Sequence, residues 1–264
     1  RWEEAPYTRG SGASGYFTEE QSGLAITAAI TGNTGSNAGT NSMVGASWQA
    51  ISDVTGTATF TEVVSSAVNA SSYTFSSADI GTADAARVVV LYVNVWTDGT
   101  SAVSITGVTI GGVAATQQTT FIGHSSGGNR LDIWSLAVAS GTSADIVVTT
   151  STTCERCQVG IWDCKDILAI AHESDGAMTA SATSLTNTLS CPANGVIIAG
   201  GYTIVSTVTY TNVTEDYDSH NPETVNYYSG ASGEFDTDQV DRVITMTAGS
   251  TTQLKLVTAS FGPA

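Results

Sequence analysis

Cys154-Glu155-Arg156-Cys157 is the densest grouping of nucleophilic side chains in the sequence, with Cys164 shortly after it and Cys191 further along. Four thiolates around a zinc ion usually come as two closely spaced pairs, and Cys164 and Cys191 do not form the second pair. A redox CxxC needs a helix beginning at its first cysteine to depress the thiol pKa. Here the chain runs on into a strand instead. Successive strand side chains alternate, so Cys157, Val159 and Ile161 share one face, while Gln158, Gly160, Trp162 and Cys164 share the other. Three readings stay open: one or two structural disulfides, reduced cysteines packed as small apolar residues, or a metal site. If a bond forms, Cys154 with Cys164 or with Cys191 is the favoured pairing.

His124, His172 and His220 lie far apart in loop-like stretches and form no HxH or HExxH pair. There is no Gly-x-Ser-x-Gly elbow to present a nucleophilic serine. Acidic residues gather at Glu215-Asp216-Tyr217-Asp218 and at Asp236, Asp238 and Asp241. The second group loosely resembles a calcium loop without its glycine turn and terminal glutamate, so it reads as a solvated acidic loop and no cofactor is expected, with calcium between loops as the alternative. A glycosidase pair would need carboxylates about 5–10 Å apart in a cleft, and nothing in the sequence marks one. Tyr217, Tyr227 and Tyr228 sit near loops of the C-terminal half, where tyrosines can stack on sugars or contact a receptor. They are the candidate glycan or receptor contacts. No catalytic residue is singled out, and the chain is expected not to be an enzyme.

The elements that must position these residues are strands. From residue 57 onward, short segments of period two alternate with Gly/Ser/Asn/Asp clusters. Arg87 to Trp96 is apolar on nearly both faces and belongs mid-sheet. Val103 to Ile110 followed by Gly111-Gly112 reads as a hairpin. Leu131–Val138, Ala144–Thr149, Gln158–Trp162, Gly195–Gly200, Val205–Tyr210, Val243–Thr247 and Leu254–Phe261 continue the series. The best helical candidate, Cys164 to His172, is short. The expected class is therefore all-β, a two-sheet antiparallel sandwich of jelly-roll kind. Residues 1–56 differ: Gly/Ser-rich and turn-rich stretches flank Leu24–Ile30. They predict an extended N-terminal arm or small anchoring subdomain, with a first strand pair of the same sandwich as the alternative.

Composition narrows the partners. The 264 residues are 41% hydrophobic but only 12% charged, about half the usual charged share. The exterior must then be built from Ser, Thr, Asn, Gln and Gly, as in proteins that pack into assemblies or sit outside cells. Twenty-four acidic residues face eight basic ones, for a net charge of −16. Phosphate backbones and anionic lipid repel such a chain, so neither nucleic-acid binding nor membrane insertion is expected. No run of about 18 apolar residues marks a membrane span. The chain opens on Arg1-Trp2-Glu3-Glu4 without a signal-peptide pattern.

Several stretches resemble tailed-bacteriophage structural proteins. They are Arg87–Val95 with Val103-Ser104-Ile105-Thr106-Gly107-Val108-Thr109-Ile110-Gly111-Gly112-Val113-Ala114-Ala115-Thr116, then Asp132-Ile133-Trp134 with Val138 to Val148, Gln158–Trp162, Tyr228–Ser232 and Ala259–Pro263. The resemblance spans roughly residues 57–264 and consists of strand and turn text rather than chemistry. It implies a component of the extracellular virion surface: capsid decoration, head spike or fibre, or a receptor- or glycan-binding tail-fibre module. The partners then expected are other virion proteins, copies of the same chain (a trimer in a spike) and a host surface glycan.

Overall fold

The computed structural model describes residues 54–97, 103–119, 128–204, 207–220 and 226–264. The chain divides into two units, Arg1–Asp53 and Val54–Ala264. Apart from residues 54–56, the arm expected over residues 1–56 lies outside the described residues. So does His124.

The second unit is an all-β sandwich of antiparallel sheets. Its middle layer has the order β1 (Thr57–Ser66), β9 (Arg156–Lys165), β3 (Arg87–Thr97), β7 (Gly128–Ala137), β6 (Thr116–Gln117). One neighbouring sheet runs β2 (Ala70–Asp79), β8 (Ser143–Cys154), β4 (Ile105–Ile110), β5 (Val113–Ala114). The other runs β10 (Glu173–Cys191), β15 (Gln239–Phe261), β11 (Gly195–Thr203), β14 (Tyr227–Phe235), β13 (Thr214–His220), with β12 (Val208–Thr211) also paired to β15.

Three sheets therefore stack where two were expected, and strand β3 shows why. Val89, Leu91, Val93 and Val95 face a core completed by Tyr73, Phe75, Val108, Ile110, Ile146 and Val148. Val88, Val90 and Tyr92 face a second core with Val196, Ile198, Val257, Ala259 and Phe261. A strand apolar on both faces needs a cover on each side, and one opposing sheet supplies only one. The strand pairings establish the antiparallel sandwich without tracing a jelly roll.

A third core lies on the far face of the six-stranded sheet. Strand β15 contributes to it twice, with Ile244 and Met246 from its first half and Leu254 and Leu256 from its second. The β10–β15 ribbon thus folds over its own sheet, and its pairing register breaks between Thr179 and Ser184.

Gly111 (φ 58°) and Gly112 (φ 80°) form the expected turn between β4 and β5. Both sit in the left-handed region that a tight two-residue hairpin requires. Cys164 to His172 is not a helix. Cys164 ends in β9, Ile167 bridges Pro263, and the His172 N–H donates to the Ser260 carbonyl at 2.7 Å. The C-terminal residues offer this segment an extended partner, which outweighs a weak helical pattern.

Among the described residues no helix is long and apolar enough to cross a membrane.

Candidate functional site

The four cysteines are buried free thiols distributed over three cores. Cys154 and Cys157 lie between the middle sheet and the β2-β8-β4-β5 sheet. Cys164 lies on the opposite face of the middle sheet, and Cys191 lies in the third core. Period-two alternation on β9 therefore separates Cys157 from Cys164, as the sequence predicts. The favoured bonds from Cys154 to Cys164 or Cys191 do not form, because an intact sheet stands between these cores. Burial pushes the Cys157 thiol well above its usual range and Cys191 up to about 11. All four behave as small apolar residues.

No group of three or more His, Cys, Asp or Glu able to hold a metal occurs among the described residues. Of the carboxylates suggested for calcium, Asp238 accepts the Ala193 N–H at 2.7 Å, which caps the Pro192–Gly195 turn instead.

The tyrosines suggested for glycan contact are largely committed to packing. Tyr228 is 1% exposed and lies beside Tyr202, with ring centroids 5.7 Å apart. Tyr217 stacks on Phe60 at 4.9 Å and lies 6.0 Å from Trp162. It fits because two glycines leave room: a Cβ on Gly160 would stand 2.4 Å from its hydroxyl, and one on Gly230 would stand 2.3 Å from Cε1. The Tyr228 ring offers no free face to a sugar, whereas Tyr217 and Tyr227 are half-buried. His172 is exposed, and the backbone of His220 ends β13.

The acidic run on β13 is partly drawn into the structure. Asp216 accepts the Trp162 indole N–H at 2.8 Å, and Asp218 accepts the Val208 N–H at 3.2 Å. Burial raises the pKa of both carboxyls.

Two buried polar clusters were not anticipated from the sequence. On the β7 face that looks away from the six-stranded sheet, Asp132 is fully buried. It takes hydrogen bonds from Arg130 Nε at 2.7 Å and Gln117 Nε2 at 2.8 Å. Burial pushes its carboxyl up to about 7, against the opposing pull of the Arg130 charge.

The second cluster joins the middle and six-stranded sheets around Lys255, which is 1% exposed. Its Nζ donates to the Asn129 carbonyl at 3.3 Å and to Asn129 Oδ1 at 3.4 Å, and lies 5.2 Å from the centroid of the Tyr202 ring. The Asn129 amide in turn donates to Asn94 Oδ1 at 3.3 Å, and the Tyr202 hydroxyl donates to Asn226 Oδ1 at 2.9 Å. Neither the Arg130–Asp132 nor the Lys165–Asp163 ion pair involves Lys255. Desolvation pushes its amine down to about 8. A signal was present: Lys255 shares parity with Val257, Ala259 and Phe261, so it occupies a core position of its strand. It is also one of only two lysines, with Lys165.

Fold and site together define the class as an antiparallel β-sandwich of three sheets whose buried polar groups tie the sheets to one another. Beyond that class, the chain matches no family of known proteins, no curated protein and no solved structure.

Proposed function

We propose that the chain is a non-enzymatic structural component of a bacteriophage virion surface, a capsid decoration or a head spike or fibre. Its N-terminal region anchors it, and the sandwich is displayed outward. The observation that carries this reading is strand β10, the 19-residue edge of the six-stranded sheet. From Gly176 to Cys191 it holds no charged residue, and its outward positions are mostly Ser, Thr and Ala. Monomeric proteins usually guard long edges with lysines, prolines or short strands. Here exposed Glu173 and Asp175 stand at the start of the strand, the Glu173 carboxylate accepts the Ser190 N–H at 2.6 Å, and register breaks fall between Thr179 and Ser184 and near Cys191. The long uncharged stretch between these guards suits strand addition from a neighbouring copy, the contact from which a symmetric surface assembly is built.

Gold-labelled antibody raised against residues 54–264 should decorate intact particles. Native mass spectrometry of the full chain should show a closed oligomer that Thr183→Lys reduces toward monomer. Label confined to cell debris, or a wild-type monomer at all concentrations, would end the proposal. A receptor- or glycan-binding role would have to rest on the half-buried Tyr217 and Tyr227, since Tyr228 is packed inside.

A further inference from the structure

The Lys255 cluster presents an unusual combination. A lysine amine sits in the core between two sheets, with no carboxylate partner among the described residues, in contact with the carboxamide of an asparagine on the facing sheet. Burying an ammonium ion without a counter-charge is costly, and the balance shifts toward the neutral amine. A neutral, desolvated amine is a nucleophile. Its hydrogen bond to Asn129 Oδ1 at 3.4 Å holds it against the carboxamide whose carbon it would attack, so the two groups are already brought together by the fold. The Asn94 side chain fixes that carboxamide by accepting from its Nδ2 at 3.3 Å.

The geometry points to an intramolecular isopeptide bond between Lys255 Nζ and Asn129 Cγ, a self-formed covalent tie between the middle and six-stranded sheets. The neutral amine of Lys255 adds to Cγ, and the Nζ–Cγ bond forms. One proton passes from Nζ to Nδ2, the Cγ–Nδ2 bond breaks, and ammonia leaves. The product is a secondary amide, so atoms and charge balance without any oxidant or cofactor. The ring of Tyr202 covers the amine, and its hydroxyl donates to Asn226 at 2.9 Å. Burial holds that hydroxyl protonated, with its pKa above the usual tyrosine range. The inference concerns the sandwich alone and holds wherever the chain is displayed.

The product would replace the buried amine with a neutral group. It would also lock two strands 126 positions apart in sequence, so the sheets could not separate even when the chain is pulled or denatured.

The test is the intact mass of the purified full chain, followed by peptide sequencing after tryptic digestion. The expected result is a mass short of the sequence by one ammonia, with a branched peptide joining the Asn129 and Lys255 segments. Lys255→Met and Asn129→Leu should each lose the branched peptide and the associated mass deficit. A wild-type chain of full sequence mass after prolonged incubation at pH 8.5 would overturn the inference. So would an ammonia loss that persists in Lys255→Met, because it would mark a cyclised asparagine elsewhere. The wild-type readout decides the matter even if a variant fails to fold.

Discussion

The indole N–H of Trp162 donates to the carboxylate of Asp216 at 2.8 Å, joining the middle sheet to edge strand β13 of the six-stranded sheet. Trp162 is fully buried, so the bond is sheltered from water and Asp216 is held partly desolvated. A hydrogen bond to a charged group contributes roughly 1.5–3 kcal/mol. A double-mutant cycle with Trp162→Phe and Asp216→Ala, followed by urea denaturation, should give a coupling energy of about 1–2 kcal/mol. Additive losses would mean that the bond contributes nothing to holding β13.

Asp132 makes the stability of the sandwich depend on pH. Its carboxyl is raised from the ordinary 3.8 to about 7 by burial, so the folded state holds a proton that the unfolded chain gives up. Stability from this group is full below about pH 4 and is lost as pH rises toward 7. Asp216 and Asp218 shift in the same direction. Unfolding free energy should therefore be lower at pH 7.5 than at pH 5, by on the order of a few kcal/mol, and Asp132→Asn should flatten most of that slope. Equal wild-type stability at the two pH values would refute the assignment.

Glycine positions decide where the large aromatics of the inter-sheet core fit. A Cβ on Gly200 would fall 2.2 Å from the ring of Tyr92, which is 1% exposed and whose hydroxyl donates to the Gly201 carbonyl at 3.0 Å. The ring has no room to retreat. Gly200→Ala should cost about 1–3 kcal/mol through overpacking, measured by chemical denaturation. Adding Tyr92→Leu should recover part of that loss rather than deepen it. A simple sum of the two losses would show that the ring and the glycine do not compete for this space.

Strand β3 shows what could be read from the sequence. Its unbroken apolar run from Val88 to Val93 announced burial on both faces and a place in the middle of a sheet. The number of sheets did not follow, because a local pattern shows that a face is covered but not by what. Strand β10 was missed altogether: its Ala, Ser and Thr residues carry little hydrophobic alternation, and pairing with β15 makes it a strand. The cysteine faces on β9 were legible because alternation is a property of one segment. The Lys255 cluster was not, since Asn94, Asn129, Tyr202 and Lys255 come from four strands and meet only once the sheets stack.

The thiols offer a direct check of the three-core arrangement. All four cysteines are buried, and desolvation raises each pKa, which suppresses the reactive thiolate. A thiol-specific reagent should label none of them in the native protein and all four in denaturant without added reductant. Fewer than four reactive thiols after unfolding would reveal a disulfide and contradict the four free thiols. Native labelling of one site would show a core open to solvent.

Arg87 begins strand β3 and is 1% exposed, yet no carboxylate pairs with it among the described residues. Its guanidinium instead donates to five backbone carbonyls: Val138 at 2.7 Å, Ile80 at 3.2 Å, Gly81 at 3.1 Å, and Ser140 and Gly141 at 2.8 Å each. These carbonyls belong to the loops on either side of the strand, so one side chain fixes both loops and satisfies their buried acceptors. The planar fork is what allows it, since an ammonium has three donors on a single atom. Arg87→Ala should destabilise the sandwich by about 3–5 kcal/mol, because the acceptors are left unpaired as well as the packing lost. Arg87→Lys keeps the charge but should recover less than half of that, read as the shift of the urea midpoint at unchanged slope. Full recovery by lysine would mean that the charge alone matters and that the five-carbonyl geometry does not.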